Sequence, residues 1–384
     1  MKIILAPDSF KGSLSSEEAA AAMARGIMRA SPDAELIRIP MADGGEGTVS
    51  TILSFVKGRE VSVPVYGPRR NWTDAVHGIL EDGSAILEMA QASGIQLVPP
   101  TDRNPSEAST FGTGQMILSA LDHGCKKIYM GLGGSATNDG GMGMAEALGV
   151  RFYDAEGNTL EGKGSSLSNI HRIDISGMDH RIQETELIAM CDVQNPLCGA
   201  NGASAVYGPQ KGASQEEIHR LDDGLRNYAR RVKECNGVDI IDVPGAGAAG
   251  GLGGGLMAFC QAKLLSGCHA ILDICGFDDL LQDADLVITG EGHIDKSTSF
   301  GKVPYSIATR AAKQGVPVVA IGGGVCQQAP EGEEPLFIAE SSVTDIMTLA
   351  YAMEHAAPLL EFAAERVMRL VNLGANVNKL SRNE

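Results

Sequence analysis

The sequence predicts an α/β protein with two domains: a discontinuous, doubly wound parallel-sheet domain, residues 1–60 and 276–384, and an α+β domain, residues 61–275, inserted into it. Both outer segments alternate apolar, strand-like runs with helical periodicity, which is typical of parallel sheets. The middle segment contains hairpin-like runs instead. A chain of 384 residues also exceeds the usual size of a single core, which favours two domains.

The first outer segment supplies two strand–helix units. The apolar run KIILAP, residues 2–7, indicates a buried strand. The helical pattern after it begins at Ser15, with Glu18 three residues later, which is a capping box. A second strand, AELIRIP at 34–40, leads through a glycine-rich turn into a helix near 46–56.

The middle segment alternates hairpins with helices. The runs at 61–68, 74–90 and 150–162 resemble hairpin strands, and the last two contain Asp-Gly or Glu-Gly turn signals. Helical patterns are predicted at 113–123, 141–149 and 214–235. The last of these begins with a Ser214/Glu217 capping box and carries an apolar stripe made of Ile218, Leu221, Leu225, Tyr228 and Val232.

The second outer segment returns to the parallel pattern. Strands are expected in ADLVITG, VPVVAIGGG and PLFIAE, with a helix from 301 and a long helical tail broken near Pro358. Ligands of such sheets bind beyond the carboxyl ends of the strands. The loops APDSFKGS, PMADGGEG, TGEGHID and IGGG should therefore cluster, and we expect them to line a cleft facing the second domain.

Composition excludes several classes of function. The net charge of −17 disfavours nucleic acid and anionic membranes as partners. The apolar start is too short for a signal peptide, and no run approaches membrane-spanning length. The eight cysteines contain no C-x-x-C pair and are interpreted as reduced thiols. We therefore expect a cytoplasmic protein with a small-molecule substrate, and leave open whether it forms a homo-oligomer.

Three glycine motifs come close to known nucleotide-binding patterns. Gly245, Gly247 and Gly250 form a G-x-G-x-x-G, and residues 131–136 form the permitted G-x-G-x-x-A, so each could be a dinucleotide fingerprint. Both lie in the middle of the chain instead of opening its parallel sheet. The run GEGHIDKS has Asp295 where a P-loop has its second glycine, and a carboxylate there would repel phosphate. We reject the P-loop.

A recurring combination of glycine with acid is more informative. Glycines let backbone N–H groups approach anionic oxygens, and carboxylates hold Mg²⁺ or accept a hydroxyl proton. Phosphoryl transfer needs both in one site. In any single loop, turn glycines and helix N-caps are the better explanation of the pattern, but this explanation weakens as the same pairing recurs in several loops. The acids are Asp8, Asp43, Glu46, Asn138 with Asp139, Asp192, Glu291 and Asp295, and the accompanying cations are Lys11, Lys211 and Lys302.

Several blocks together resemble the type I glycerate kinases over nearly the whole chain. They are APDSFKGSLSSEEAA, RIPMADGGEGT, GLGGSATNDGGMGMAEALG, CDVQNPLCGANGAS, YGPQKG, VPGAGAAGGLGGGLMAF and LVITGEGHID. The resemblance implies a Rossmann-like domain with an insertion, and ATP- and Mg²⁺-dependent phosphorylation of D-glycerate, commonly at the 2-hydroxyl. The family usually shows Arg in the G-E-G-R-I-D block, where this chain has His293. Lys296 nearby is a possible substitute.

The resemblance and the loops together give a set of expected site residues. Asp192 is the expected general base, because it follows the strand-like run ELIAM and precedes Val-Gln-Asn-Pro, although it could instead orient the Asn195-Pro196 turn. Lys11 and Asp295 complete the expected catalytic set, and Asp139 and Asp295 are expected metal ligands, with orientation of a helix start as the alternative for Asp139. Expected substrate or nucleotide contacts are Asp8, Ser9, Asp43, Gly44, Gly45, Gly133, Gly134, Ser135, Asn138, Lys211, Gly247, Gly290 and Glu291.

Three alternatives stay open at this point. The protein could phosphorylate the 3-hydroxyl of glycerate. It could be an NAD-dependent hydroxy-acid oxidoreductase, on the strength of the two glycine fingerprints. A regulatory protein that binds a metabolite without turnover is the third.

Overall fold

The computed structural model describes residues 1–39, 41, 45, 47–295, 302–326, 337, 339–343 and 347–381. The chain divides into two compact units: unit 1 contains residues 1–42 and 271–384, and unit 2 contains residues 43–270. The predicted boundaries were 60 and 276. The difference at the first boundary concerns a short helix, which Glu88 of unit 2 holds by accepting hydrogen bonds from the N–H groups of Gly47 and Val49.

Strands are numbered along the chain: β1 Lys2–Leu5, β2 Glu35–Arg38, β3 Gly58–Tyr66, β4 Trp72–Leu80, β5 Ala85–Glu88, β6 Lys127–Gly131, β7 Arg151–Tyr153, β8 Arg172–Asp174, β9 Glu186–Met190, β10 Lys263–Leu265, β11 Leu286–Ile294, β12 Val318–Val325 and β13 Ala339–Ser342. The helices are α1 Ser16–Ala30, α2 Thr48–Leu53, α3 Ala90–Ser93, α4 Phe111–Asp122, α5 Met142–Ala147, α6 Ala203–Tyr207, α7 Gln215–Asn236, α8 Ala248–Cys260, α9 Gly267–Ile274, α10 Phe277–Leu280, α11 Val303–Lys313, α12 Leu349–Glu354 and α13 Ala356–Ser381.

Unit 1 contains a parallel sheet in the order β13-β12-β11-β1-β2. Alternate residues of its central strands, such as Ile3 and Ile288, pack against α1 and α13 on one face. The intervening Ile4 and Val287 are also fully buried, which is expected of a sheet covered on both faces. Numbered within the sheet, the strand order is 2-1-3-4-5, so the chain reverses its direction of winding between β1 and β11.

Unit 2 is built on a mixed sheet in the order β10-β9-β6-β5-β4-β3. Strands β3, β4 and β5 pair antiparallel, as the hairpin signals predicted, whereas β5, β6, β9 and β10 pair parallel. A small antiparallel pair, β7 with β8, lies outside this sheet. The predicted fold class, α/β with a doubly wound parallel sheet and an inserted α+β region, is confirmed.

Both predicted capping boxes are present, at Ser15/Glu18 before α1 and at Ser214/Glu217 before α7. The predicted stripe of α7 is buried along its whole length. The predicted break near Pro358 is wrong by a few residues, because the helical tail is interrupted at His355, between α12 and α13. Pro358 lies in the first turn of α13, where its missing N–H would have had no intrahelical partner.

Candidate functional site

A cavity of about 470 Å³ lies in unit 2, beyond the carboxyl ends of the neighbouring parallel strands β6 and β9. The glycine-rich turn after β6 supplies Leu132 to Ser135, and the segment after β9 supplies Cys191 to Val193. The carboxyl ends of parallel strands are where α/β proteins bind ligands. The remaining residues that line the cavity are Gly45, Ile95, Arg103, Met190, Tyr207, Gln210, Lys211, Ala248 and Ala249.

Of the two cationic residues that line the cavity, Lys211 is the more deeply buried, with only 3% of its surface exposed. Its Nζ donates hydrogen bonds to Ser135 Oγ at 2.6 Å and to the Thr137 carbonyl at 2.7 Å. Burial lowers the pKa of Lys211 to about 7, and the negative charge of Asp139 partly opposes that shift. Lys211 is therefore not an ordinary surface lysine.

The loop from Gly131 to Gly143 combines a half-buried Gly133 and an exposed Gly134 with a buried acid. Gly133, Gly134 and Ser135 line the cavity, as predicted contacts should. Asn138 is fully buried and its Nδ2 donates to Ser204 Oγ at 3.0 Å, so it belongs to the scaffold beneath the cavity wall. The predicted contact of Asn138 with a ligand stays a prediction.

Asp139 is also fully buried and accepts four hydrogen bonds. Its donors are the N–H and hydroxyl of Thr110, both at 2.8 Å, and the N–H groups of Gly141 and Gly143 at the start of α5. Burial raises the pKa of Asp139, and these four bonds oppose the shift. The contacts match the second of its two expected roles, orientation of a helix start, and its role as a metal ligand stays a prediction.

Asp192 lies two residues after β9, at the strand's carboxyl end, and lines the cavity. Its Oδ1 accepts a hydrogen bond of 3.0 Å from the Gly267 N–H, which fixes the direction of the carboxylate. The Asn195 turn is held by other groups: Tyr207 donates to Asn195 Oδ1 at 2.7 Å, and the Gly247 N–H donates to the Asn195 carbonyl at 3.0 Å.

The second predicted cluster lies in unit 1, beyond the carboxyl end of β1. The runs TGEGHI and IGGG, predicted as loops, instead belong to the strands β11 and β12. Asp8 and Ser9 follow β1, and the Asp8 N–H donates to the Gly290 carbonyl at 2.8 Å. Glu291 is buried and lies 3.5 Å from Lys302 Nζ. These residues flank β1 and β11, where the winding of the sheet reverses, which is the usual ligand position in such folds.

The other charged groups at this edge are more exposed. Lys11 is exposed in the loop after β1. The side chain of His293 is 63% exposed and its Nε2 lies 3.9 Å from Asp295 Oδ2. Of the remaining expected residues, Asp43, Gly44, Glu46 and Lys296 lie outside the described residues.

Comparison with known proteins gives one consistent result. The model of the glycerate kinase family matches residues 3–372. A glycerate kinase of Halalkalibacterium halodurans is 47% identical over 95% of this chain and 97% of its own length, and the glycerate 2-kinase of Escherichia coli K12 is 44% identical over 97% and 99%. A crystal structure of a Salmonella typhimurium LT2 protein assigned as glycerate kinase 2 superposes with a TM-score of 0.85 at 44% identity, covering 98% of this chain and 99% of that one.

The chain belongs to the glycerate kinase family. The resemblance stated from the sequence is confirmed, and the protein is an enzyme, a kinase of this family. The two alternatives from other classes, an oxidoreductase and a regulatory protein without turnover, are thereby set aside.

In this glycerate kinase family member the two glycine fingerprints have different surroundings: the first lines the cavity, and the second is packed against neighbouring backbone. Residues 131–136 follow β6, but α5 begins only at Met142, so the turn does not open a helix. Gly250 has a φ of +70°, and a Cβ atom there would overlap the Thr137 carbonyl. The predicted contact at Gly247 lies against the 195–196 turn, because a Cβ at Gly247 would meet the Pro196 carbonyl. The 245–250 run thus holds the cavity loops together.

The cavity residues that were missed from the sequence include Arg103, Cys191 and Tyr207. Arg103 follows a short 3₁₀ turn, Pro100–Asp102, and belongs to neither a helix nor a strand. Nothing in its local sequence marks it, because Lys211, which shares its wall of the cavity, is more than a hundred positions away along the chain.

The described part of the chain contains no group of three or more His, Cys, Asp or Glu side chains arranged to hold a metal ion. Within the same residues, each helix is too short or too polar to cross a lipid bilayer.

Proposed function

We propose that this kinase transfers the γ-phosphoryl group of ATP to the 2-hydroxyl of D-glycerate and that the reaction depends on Mg²⁺. The name of the Escherichia coli relative, glycerate 2-kinase, supports the choice of hydroxyl. The Salmonella structure assigned as glycerate kinase 2 supports it as well.

The observation that carries the proposal is the pairing of a buried cation with an acid around one cavity. Lys211 and Asp192 both line it. Asp192 follows the carboxyl end of β9, and Lys211 packs against the turn that follows β6. A hydroxy acid needs a positive group for its carboxylate and a basic group for its hydroxyl proton. The cavity offers both, together with the backbone of the glycine turn.

In this proposal Asp192 is the general base. The Gly267 N–H orients its carboxylate, which accepts the proton of the substrate hydroxyl as that oxygen attacks phosphorus. The proposed contacts to substrate oxygens come from Gly45, Gly133, Gly134, Ser135 and Lys211. In unit 1, Asp8, Ser9, Lys11, Gly290 and Glu291 are the proposed nucleotide contacts, because they surround the point where the sheet reverses.

The carboxylates of unit 1 fit Mg²⁺ carried by a nucleotide. Mg²⁺ in kinases is usually bound through one or two carboxylates together with substrate phosphates, not by a protein cage of three or more ligands. Asp8, beside Gly290, or Asp295, directly after β11, would supply one such carboxylate. When bound, Mg²⁺ neutralises the charge that develops on the transferred group. The acidic composition and the cysteines, which form no disulfide within the described residues, support a cytoplasmic location.

The test is phosphorus NMR of the product made from D-glycerate, ATP and MgCl₂. We expect 2-phosphoglycerate, and no product when the divalent ion is chelated. Formation of 3-phosphoglycerate would overturn the choice of hydroxyl while leaving the kinase intact. A folded enzyme that makes neither product with any of several divalent ions would overturn the proposed reaction.

A further inference from the structure

We propose that Arg103 and Lys211 form the subsite that binds the carboxylate of the hydroxy-acid substrate, and that Arg103 makes the enzyme prefer a carboxylate to an uncharged group. This inference rests on the proposed function, because it concerns the acceptor substrate of that reaction.

Arg103 and Lys211 belong to one wall. Both line the 470 Å³ cavity and also the smaller recess beside it. Gly212 brings their backbones together: it has a φ of +94°, and a Cβ atom at this position would lie 2.6 Å from the Arg103 carbonyl oxygen. A residue with a side chain would therefore push the two loops apart. The close approach of residues 211–212 to Arg103 is built into the fold.

Arg103 has no partner among the described residues. Its guanidinium makes neither an ion pair nor a hydrogen bond with any of them, and its Nε is buried and unsatisfied. Arg181 of the same unit shows the usual state, since it pairs with Asp179 and Asp122 at 2.7 and 2.8 Å. Leaving a buried donor unsatisfied costs free energy, and a group that persists in this state is expected to have a ligand.

Lys211 brings a second nitrogen donor without a bonded carboxylate, and a bound anion would favour its charged form. Both acceptors of its Nζ, the Ser135 hydroxyl and the Thr137 carbonyl, are neutral. A lysine and an arginine on one wall, neither bonded to an acid, match a ligand with two oxygens and one negative charge. The planar fork of arginine suits the two oxygens of a carboxylate, whereas lysine acts as a point charge.

The same cations could bind a phosphoryl group, because both ligands are oxyanions. The position of Asp192 on the same cavity favours the carboxylate of the acceptor. A carboxylate beside a polyphosphate is repulsive, whereas a carboxylate beside a hydroxyl can accept its proton. In glycerate the 2-hydroxyl is on the carbon attached to the carboxylate, and the 3-hydroxyl is one carbon further away. Fixing the carboxylate therefore determines which hydroxyl reaches the base.

The experiment compares Arg103→Gln, Arg103→Lys and a matched control, Arg220→Gln, whose side chain is 69% exposed on α7. Substrates are D-glycerate and glyceramide, in which a neutral amide replaces the carboxylate. For Arg103→Gln we expect kcat/KM for glycerate to fall about 10- to 100-fold, the size of one charge-assisted hydrogen bond, while kcat/KM for glyceramide and KM for ATP change less than about twofold. Arg103→Lys should recover part of the loss.

A product that shifts from 2- towards 3-phosphoglycerate in Arg103→Gln would support the inference further. Unchanged preference for glycerate over glyceramide in a variant with the wild-type melting temperature would overturn it. A rise in KM for ATP with an unchanged KM for glycerate would also overturn it and assign Arg103 to the nucleotide. These results are distinct from failure of the proposed function, in which the wild-type enzyme itself makes no 2-phosphoglycerate.

Discussion

The same topological position is used differently in the two units. In unit 1, Lys11 and His293 are exposed at the carboxyl ends of β1 and β11. In unit 2, Lys211 is buried beyond the ends of β6 and β9. An interaction between charges is several times stronger in a partly desolvated site than in water. We therefore expect the same change of charge to reduce catalytic activity more in the unit 2 cavity than at the unit 1 sheet edge.

The largest expected effect is that of Asp192→Asn in the unit 2 cavity. Asparagine keeps the size of the side chain and can still accept the Gly267 hydrogen bond, but it cannot take a proton. We expect kcat to fall by about 10²- to 10⁴-fold with little change in nucleotide affinity. Steady-state kinetics and ATP binding by calorimetry measure the two quantities.

Asp295→Asn is the matched variant in unit 1. As a loss of one Mg²⁺ ligand, it should raise the Mg²⁺ concentration needed for half-maximal activity more than it lowers kcat at saturating Mg²⁺. If Asp192→Asn turns over normally while Asp295→Asn does not, the general base is in unit 1 and the assignment of the two acids must be exchanged.

A smaller effect is expected from replacing the two lysines. Lys211→Met removes a buried charge, so kcat/KM for glycerate should fall about 100-fold, whereas Lys11→Met removes an exposed one and should cost about tenfold, because charge-assisted hydrogen bonds range over ~1.5–3 kcal/mol. Lys313→Met, in the last turn of α11, serves as the surface control. Equal losses at positions 11 and 211 would contradict the comparison.

Burial of Lys211 should also appear in the stability of the enzyme. Its pKa is lowered from 10.5 to about 7, so between these values the unfolded chain binds more protons than the folded one. The contribution of Lys211 to the free energy of unfolding therefore rises with pH, by about 1 kcal/mol between roughly pH 7 and 8 and about 2 kcal/mol by roughly pH 9. Other charged groups near it, Arg103, Asp139 and Asp192, are present in both proteins compared.

The measurement is the difference in unfolding free energy between the wild type and Lys211→Met across this pH range. The wild type should gain stability relative to the variant as pH rises. Parallel pH profiles would mean that Lys211 keeps its ordinary pKa and is solvated.

The fold could be predicted where local signals decide the structure. Capping boxes at Ser15 and Ser214 mark helix starts, because the bonds that make them lie within four residues. Alternation of strand and helix patterns predicts parallel sheets. The assignment of α2 to unit 2 could not be predicted, since it depends on Glu88, some forty residues away, accepting two of its N–H groups. The interruption at His355 instead of Pro358 shows that proline is compatible with a first helical turn.

The candidate site divides in the same way. Glycine–acid loops at strand ends indicated Gly133, Ser135 and Asp192, all of which line the cavity. The burial of Lys211 could not be read from the polar run GPQKGAS, because it arises from packing against residues 135–137. Arg103 has no local signal at all, since only the approach of Gly212 places it on the cavity wall.

The smallest expected effect concerns His293, where the family usually has arginine. Arginine at this position would carry a permanent charge near Asp295, which lies 3.9 Å from His293 Nε2, and the side chain of residue 293 is mostly in water. Exposed ion pairs contribute ~0.2–1 kcal/mol, so His293→Arg should change KM for ATP by no more than about two- to fivefold. The change should shrink at high ionic strength, because salt screens exposed charges.

Kinetics of His293→Arg at low and high salt test this expectation, with His219→Arg on the exposed face of α7 as control. A salt-independent change of more than about tenfold would mean that residue 293 contacts the ligand in a desolvated site, since surface charges cannot produce it. In that case the sheet edge of unit 1 would resemble the cavity of unit 2. The contrast between the two units would then hold only for the enzyme without its ligands.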